Sequence, residues 1–193
     1  MVTVLFCYRT LGYRCLKYLI NNNSPPEVVV VPIDDKGVDG KFKSVKKLAI
    51  ENKIKLFQPK SLVEDEVFLD TLKNLNPYLA FSCYYPKIIP NNVLNLFEFG
   101  GINIHGGILP FYRGTFSGVW SIINNEYESG VTLHFMDESI DTGDIIEIKK
   151  IKIEKKDTGL SLYEKTADTS LNLFEKYYHL IKNGEKIPRI KQI

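Results

Sequence analysis

Asn103 and His105 stand one residue apart in GINIHGGILPFYRG, residues 101–114, and both side chains can do chemistry. An amide N–H stabilises a developing negative charge, and an imidazole exchanges a proton near neutral pH. Alternate residues of a strand share a face, so the two groups would point the same way. The apolar run then breaks into glycines, a proline and the charged FYRG, as a strand does where it enters a loop. The plain alternative is a hydrogen-bonded polar pair that closes the strand. A second cluster follows in GVTLHFMDESIDTGD, residues 130–144, with Asp137, Glu138, Asp141 and Asp144. Alone, these acids read as a solvated loop between two strands, and their spacing is not that of an EF-hand. Paired with the upstream Asn-x-His, the cluster offers a carboxylate to orient and charge an imidazole.

Something must hold such groups in place, and 193 residues with 44% hydrophobic content suffice for one core. The expected organisation is a single domain over 1–182 with a C-terminal tail over 183–193, short or disordered. The 25 basic and 23 acidic residues leave a net charge of +2, which argues against broad electrostatic binding of nucleic acid. No apolar run approaches the ~20 residues that span a bilayer, and the N-terminus lacks the basic leader of a signal peptide. No membrane partner is expected. Cys7, Cys15 and Cys83 show no CxxC spacing, which suits reduced thiols in a cytoplasmic protein. The histidines at 105, 134 and 179 lack metal-ligand spacing, so no metal is expected.

Hydrophobic patterning alternates strands with helices. VTVLF, VVVV, IKLF, YLAFS, GINIH, GVTLHFMD and DIIEIKKIKI read as strands, the last half-exposed. Helices are predicted over 11–21, 41–52, 63–74, 115–125 and 159–182. For 63–74 the apolar stripe is Val63, Val67, Leu69 and Leu72; for 159–182 it is Leu160, Tyr163, Ala167, Leu171, Phe174, Tyr178 and Ile181. The fold class that follows is α/β, a Rossmann-like, mostly parallel sheet with helices on both faces. In such sheets ligands gather beyond the C-terminal strand ends, which selects CYRTLG, SCYYPK and HGGILPFYRG. His134 is expected on a strand face and His179 in the last helix, neither of them reactive.

NIHGGILPFYRG followed by GVTLHFMDESIDTGDII resembles the signature of the folate-dependent formyltransferases, which carry an Asn-x-His pair, an LPxYRG loop and an Asp in an LDxG-like turn. The likeness runs from about residue 2 to about residue 180 and implies the formyltransferase fold. Within that family, FCYRTLG and FSCYYPKIIP are most similar to the nucleotide-sugar N-formyltransferases, of the type that acts on UDP-4-amino-4-deoxy-L-arabinose. Purine-pathway members place a Gly- and Ser-rich phosphate loop after the first strand, whereas CYRTLGYR has a single glycine.

The resemblance implies formyl transfer from N10-formyltetrahydrofolate, the folate cosubstrate, to the primary amine of a dTDP-, UDP- or GDP-linked amino sugar. Asn103 would stabilise the oxyanion of the tetrahedral intermediate, His105 would move the proton, and Asp141 would fix and charge the imidazole. The folate is expected at Lys87, Ile88, Ile89, Glu138, Ser139 and Ile140, largely through main-chain groups. The sugar nucleotide is expected at Tyr8, Arg9, Thr10, Tyr112, Arg113 and Gly114, with a structural salt bridge as the other reading of Arg113 and a surface charge as that of Arg9. Relatives of the sugar type also imply a homodimer. Relatives commonly carry a serine where this chain has Gly107, a departure that could loosen the loop. The alternatives are formylation of another small amine, such as glycinamide ribonucleotide, and a catalytically silent folate- or nucleotide-binding protein.

Overall fold

A computed structural model describes every residue from Met1 to Ile193 and divides the chain into two compact units, Met1–Ile102 and Asn103–Ile193. In the first unit, β1 (Thr3–Cys7), β2 (Val28–Val30), β3 (Lys55–Phe57) and β4 (Leu79–Cys83) pair in parallel in the order β3-β2-β1-β4. Every residue of β1 and β4 is buried, which is why both read as unbroken apolar runs rather than alternating ones.

Three longer helices and one short one complete this unit. The first, α1 (Arg9–Asn21), buries Leu11, Cys15, Leu16 and Leu19. It starts so close to β1 that a Cβ on Gly12 would lie 2.8 Å from Cys7 Cβ, so only glycine fits. Next, α2 (Val45–Glu51) begins later than the predicted 41–52, because Asp35 and Ser44 build its cap. Ser44 Oγ accepts from Lys47 N (3.0 Å) and donates to Asp35, whose other oxygen accepts from Lys46 N (3.0 Å). Asp65 caps α3 (Glu66–Leu75), so Val63 lies outside the helix and Val67 is 71% exposed. The buried stripe is Phe68 and Leu72, a correction to the expected face. The four-residue α4 (Asn91–Leu94) is too short to show a period in sequence.

The strand β5 (Gly100–His105) straddles the boundary between the units. In the second unit, β6 (Glu128–Phe135) pairs antiparallel with β7 (Ile145–Lys152), with a register slip between Leu133 and His134. Two helices, α5 (Ser117–Ile123) and α6 (Gly159–Lys182), belong to the same unit. A capping box between Thr158 and Ser161 starts α6, which buries Leu162, Ala167, Leu173, Phe174, Tyr177, Tyr178 and Ile181. The stripe is thus wider than expected and turned away from Leu160, which is 57% exposed. The seven strands follow the order β3-β2-β1-β4-β5-β6-β7, an α/β sheet that is mostly parallel.

Gly184, at a φ of +73, ends α6 in the left-handed region. The short tail beyond it is tied to β7. Ile190 forms an antiparallel bridge with Ile145, its N–H donating to the Ile145 carbonyl (2.9 Å) and its carbonyl accepting from Ile145 N (2.7 Å). Arg189 pairs with Asp144 (3.1 Å) and stacks its guanidinium 4.0 Å from the centre of the Phe135 ring.

Candidate functional site

Asn103 and His105 leave β5 on the same side, as the strand period requires, and the loop after β6 brings Asp141 to both. His105 Nδ1 lies 3.3 Å from Asp141 Oδ2, and Asn103 Nδ2 donates to Asp141 Oδ1 (3.3 Å). The Gly114 N–H donates to Asp141 Oδ2 (2.8 Å), so the carboxylate also ties down the FYRG loop. Asp141 itself adopts a φ of +54, a left-handed conformation that aspartate tolerates better than bulkier residues. The three groups that the sequence singled out therefore form one cluster, all of it within the second unit.

A fourth group joins them that sequence reasoning set aside. His134 Nε2 lies 3.1 Å from Asn103 Nδ2 and 3.4 Å from Asp141 Oδ1. Its Nδ1 faces the Phe135 carbonyl at 2.7 Å, which turns Nε2 toward the Asn103 amide and the Asp141 carboxylate. The signal was present in GVTLHF: Thr132 and His134 share a strand face, and Thr132 also reaches the HGGIL loop. There Thr132 Oγ1 donates to the Gly107 carbonyl (2.6 Å) and accepts from Leu109 N (3.1 Å).

This loop is closely held despite its glycines. Ser117 Oγ donates to the Gly106 carbonyl at 2.5 Å. A Cβ on Gly107 would fall 2.7 Å from Ser117 Cβ and 2.8 Å from His105 Nε2. Gly107 is thus the residue that fits between α5 and the imidazole, and the hydroxyls of Ser117 and Thr132 anchor the loop. The concern that Gly107 loosens it does not hold.

The electrostatics set up a base. His105 Nε2 lies 2.5 Å from the Tyr112 carbonyl, so both ring nitrogens face acceptors. Burial pushes the imidazole below the ordinary histidine value; Asp141 and the Tyr112 carbonyl oppose the shift, and His134 adds to it. A neutral ring has one N–H and leaves one nitrogen lone pair against an oxygen. Taking up a proton would satisfy both neighbours at once. Burial would raise the Asp141 carboxyl, but contact with His134, the charge of His105 and the Gly114 N–H outweigh it and hold the group below its usual value. Asp141 is therefore ionised at neutral pH.

The remaining expected positions fall into two groups. In the second unit, Tyr112 donates its phenol to Glu126 (2.6 Å) and accepts from Asn124 (3.1 Å). Arg113 donates to Gln192 Oε1 from Nε (3.3 Å) and Nη2 (2.7 Å), neither a free guanidinium nor a salt bridge. Glu138, Ser139 and Ile140 are exposed on the loop that leads into Asp141. In the first unit, Tyr8 N donates to the Cys83 carbonyl (3.1 Å), so the loops after β1 and β4 begin side by side. Arg9 lies over the rings of Tyr8 and Phe42, 5.2 Å from each centre, and Thr10 is half-buried behind it. Arg9 and Tyr84 both have positive φ (54° and 59°), a costly conformation for such side chains that often marks a working loop. Lys87 donates to the carbonyls of Pro59 (3.3 Å) and Lys60 (2.8 Å), Ile88 is exposed and Ile89 is buried in the core.

Residues 12–176 match the model of the formyl transferase family. The chain is 38% identical over 182 residues to the bifunctional polymyxin resistance protein ArnA of Wigglesworthia glossinidia brevipalpis, covering 94% of this chain and 28% of that protein. It is 41% identical over 173 residues to a methionyl-tRNA formyltransferase of Malacoplasma penetrans, covering 86% and 52%. Both relatives are thus much longer than this chain. Among solved structures, it superimposes with a TM-score of 0.83 and 29% identity on an N-formyltransferase from Helicobacter canadensis, covering 100% of this chain and 68% of the other. That protein was crystallised with folinic acid and dTDP-3-aminofucose.

Proposed function

This chain belongs to the formyl transferase family, and on that premise we propose that it formylates the primary amine of a nucleotide-linked amino sugar. The observation that carries the reading is the His105 imidazole set between two acceptors, the Asp141 carboxylate and the Tyr112 carbonyl. Burial keeps such a ring neutral and ready to accept, and the two acceptors offset part of the cost of the proton that an attacking amine must lose. In this reading the cosubstrate, N10-formyltetrahydrofolate, supplies the formyl group. The exposed loop of Glu138, Ser139 and Ile140 offers main-chain groups and an apolar side chain to a flat polar ring, and that fits a folate. Lys87, Ile88 and Ile89 remain candidates for the same ligand.

The residues divide the work as follows. His105 accepts the proton of the amine and returns it to the departing nitrogen, while Asp141 stabilises the imidazolium in between. Asn103 turns an amide N–H from Asp141 or His134 to the developing oxyanion. Tyr8, Arg9, Thr10, Tyr112, Arg113 and Gly114 are the proposed contacts for the sugar nucleotide. The sugar class is supported by the likeness to the Helicobacter canadensis enzyme over the whole chain, and by the single glycine after β1. A cytoplasmic location and a homodimer belong to the same reading.

The relative at 41% identity favours a second reading, in which the amine belongs to methionyl-tRNA. The test is to incubate the protein with N10-formyltetrahydrofolate and, separately, dTDP-, UDP- and GDP-amino sugars, methionyl-tRNA and glycinamide ribonucleotide. Formamide on an amino sugar alone supports the proposal; product only on one of the others replaces the substrate class. No product on any amine, from protein that binds folate, leaves a silent binder and refutes formyl transfer.

A further inference from the structure

We propose that Gln192 is a positioning residue for the Asp141–His105 pair, acting as a clamp at the end of the tail; the proposal rests on the formyl-transfer reading only for its kinetic consequence. Its carboxamide makes four hydrogen bonds. Nε2 donates to the carbonyls of Asp141 (2.9 Å) and Gly143 (2.7 Å), while Oε1 accepts from Arg113 Nε (3.3 Å) and Nη2 (2.7 Å). One side chain therefore joins the two loops that meet at the carboxylate, the one that carries Asp141 and the one that donates Gly114 N–H to it.

The tail is built to deliver this residue. After Gly184 ends α6, the Ile145–Ile190 bridge lays 190 beside the strand that follows the Asp141 loop. Two residues on, the Gln192 side chain reaches the Asp141 loop, as its bonds to the Asp141 and Gly143 carbonyls show. Arg189 holds the neighbouring Asp144. The loop needs such support, because Asp141 sits at positive φ and three of its residues, Glu138 to Ile140, are exposed. The clamp also occupies the Arg113 guanidinium, so a substrate anion that engages Arg113 would compete with Gln192 for it.

The ionisable groups that face His105 are Asp141 and His134; those that face Asp141 are the two histidines, and Arg113 is turned to Gln192. Loosening the clamp should let the carboxylate recede from His105 and lower the midpoint at which the ring takes up a proton. The measurement is an NMR titration of the imidazole protons in the full chain, which has only three histidines to resolve. Gln192→Ala and the isosteric, non-bonding Gln192→Met are compared with the parent and with Lys191→Ala as a tail control. We expect a fall of roughly half a pH unit in the His105 midpoint for both Gln192 variants and none for Lys191→Ala. In the formylation assay at saturating amine, kcat should fall roughly threefold in both, in step with that shift, and KM should not rise, because Arg113 is released. An unchanged His105 midpoint in either folded Gln192 variant overturns the proposal. Because the titration needs no substrate, it stands or fails separately from the formyl-transfer reading.

Discussion

Replacing Asp141 by asparagine removes one charge and one acceptor from the centre of the cluster. Both carboxylate oxygens face donors, Asn103 and Gly114, so the new NH2 must turn against one of them. The larger loss is electrostatic. His105 Nδ1 lies 3.3 Å from the carboxylate, and the Asp141 side chain is only 12% exposed. For charge centres about 4 Å apart at an effective dielectric of about 20, the attraction is about 4 kcal/mol. Part of it is recovered by rearrangement, which leaves about 3–4 kcal/mol, or a fall of about 10² to 10³ in kcat. The pH profile should move as well. His105 works as a neutral base, so activity falls as pH drops through its midpoint. Asp141 opposes the burial that lowers this midpoint, so Asp141→Asn should carry the acidic limb to still lower pH. Formamide formation followed by mass spectrometry, from about pH 5 to about pH 9, reads both effects. A variant within threefold of the parent across that range, with an unmoved limb, would refute the reasoning.

Asn103→Ala should cost about 10² to 10³ in kcat, the usual loss when an oxyanion donor is removed, with the parental melting temperature retained to within a few degrees as the check on folding. Gly107→Ala should destabilise by about 1–3 kcal/mol in urea titrations and disturb the histidine, because the added methyl meets Ser117 Cβ and His105 Nε2 below 3 Å. Stability should also fall on mild acidification: His105 has a depressed value when folded, so below about pH 6.5 the unfolded chain takes up the proton first and gains. His105→Gln should flatten that slope between about pH 7 and about pH 5.5 when urea midpoints are compared, and the Asp141 contribution, lost only as pH falls through its own lowered value, should remain.

Much of this was legible in the sequence because it depends on period and local chemistry. The strands, the long last helix and the shared face of Asn103 and His105 all follow from alternation and spacing. What stayed hidden depends on partners. Asp65 and Ser44 decided where two helices start, and that shifted the buried face of α3 to Phe68 and Leu72. His134 lies on a strand as expected, but nothing local shows that its face opens onto Asn103. Of the two readings of Arg113, the salt bridge gives way to a neutral amide acceptor 79 residues away, a partner that no local pattern shows. The contacts of the short tail, a single bridge and a few polar side chains, leave no periodic trace in the sequence.

The pairing of Ile190 with Ile145 also shapes how copies of this chain can meet. An unpaired strand border invites a neighbouring molecule to continue the sheet. On β7 one end of that border is taken by the tail, and further along the strand Lys149, Lys150 and Lys152 are exposed. A second β7 laid alongside at that end would have to displace the bridge. Sheet extension is therefore disfavoured at the end of β7 that the tail covers.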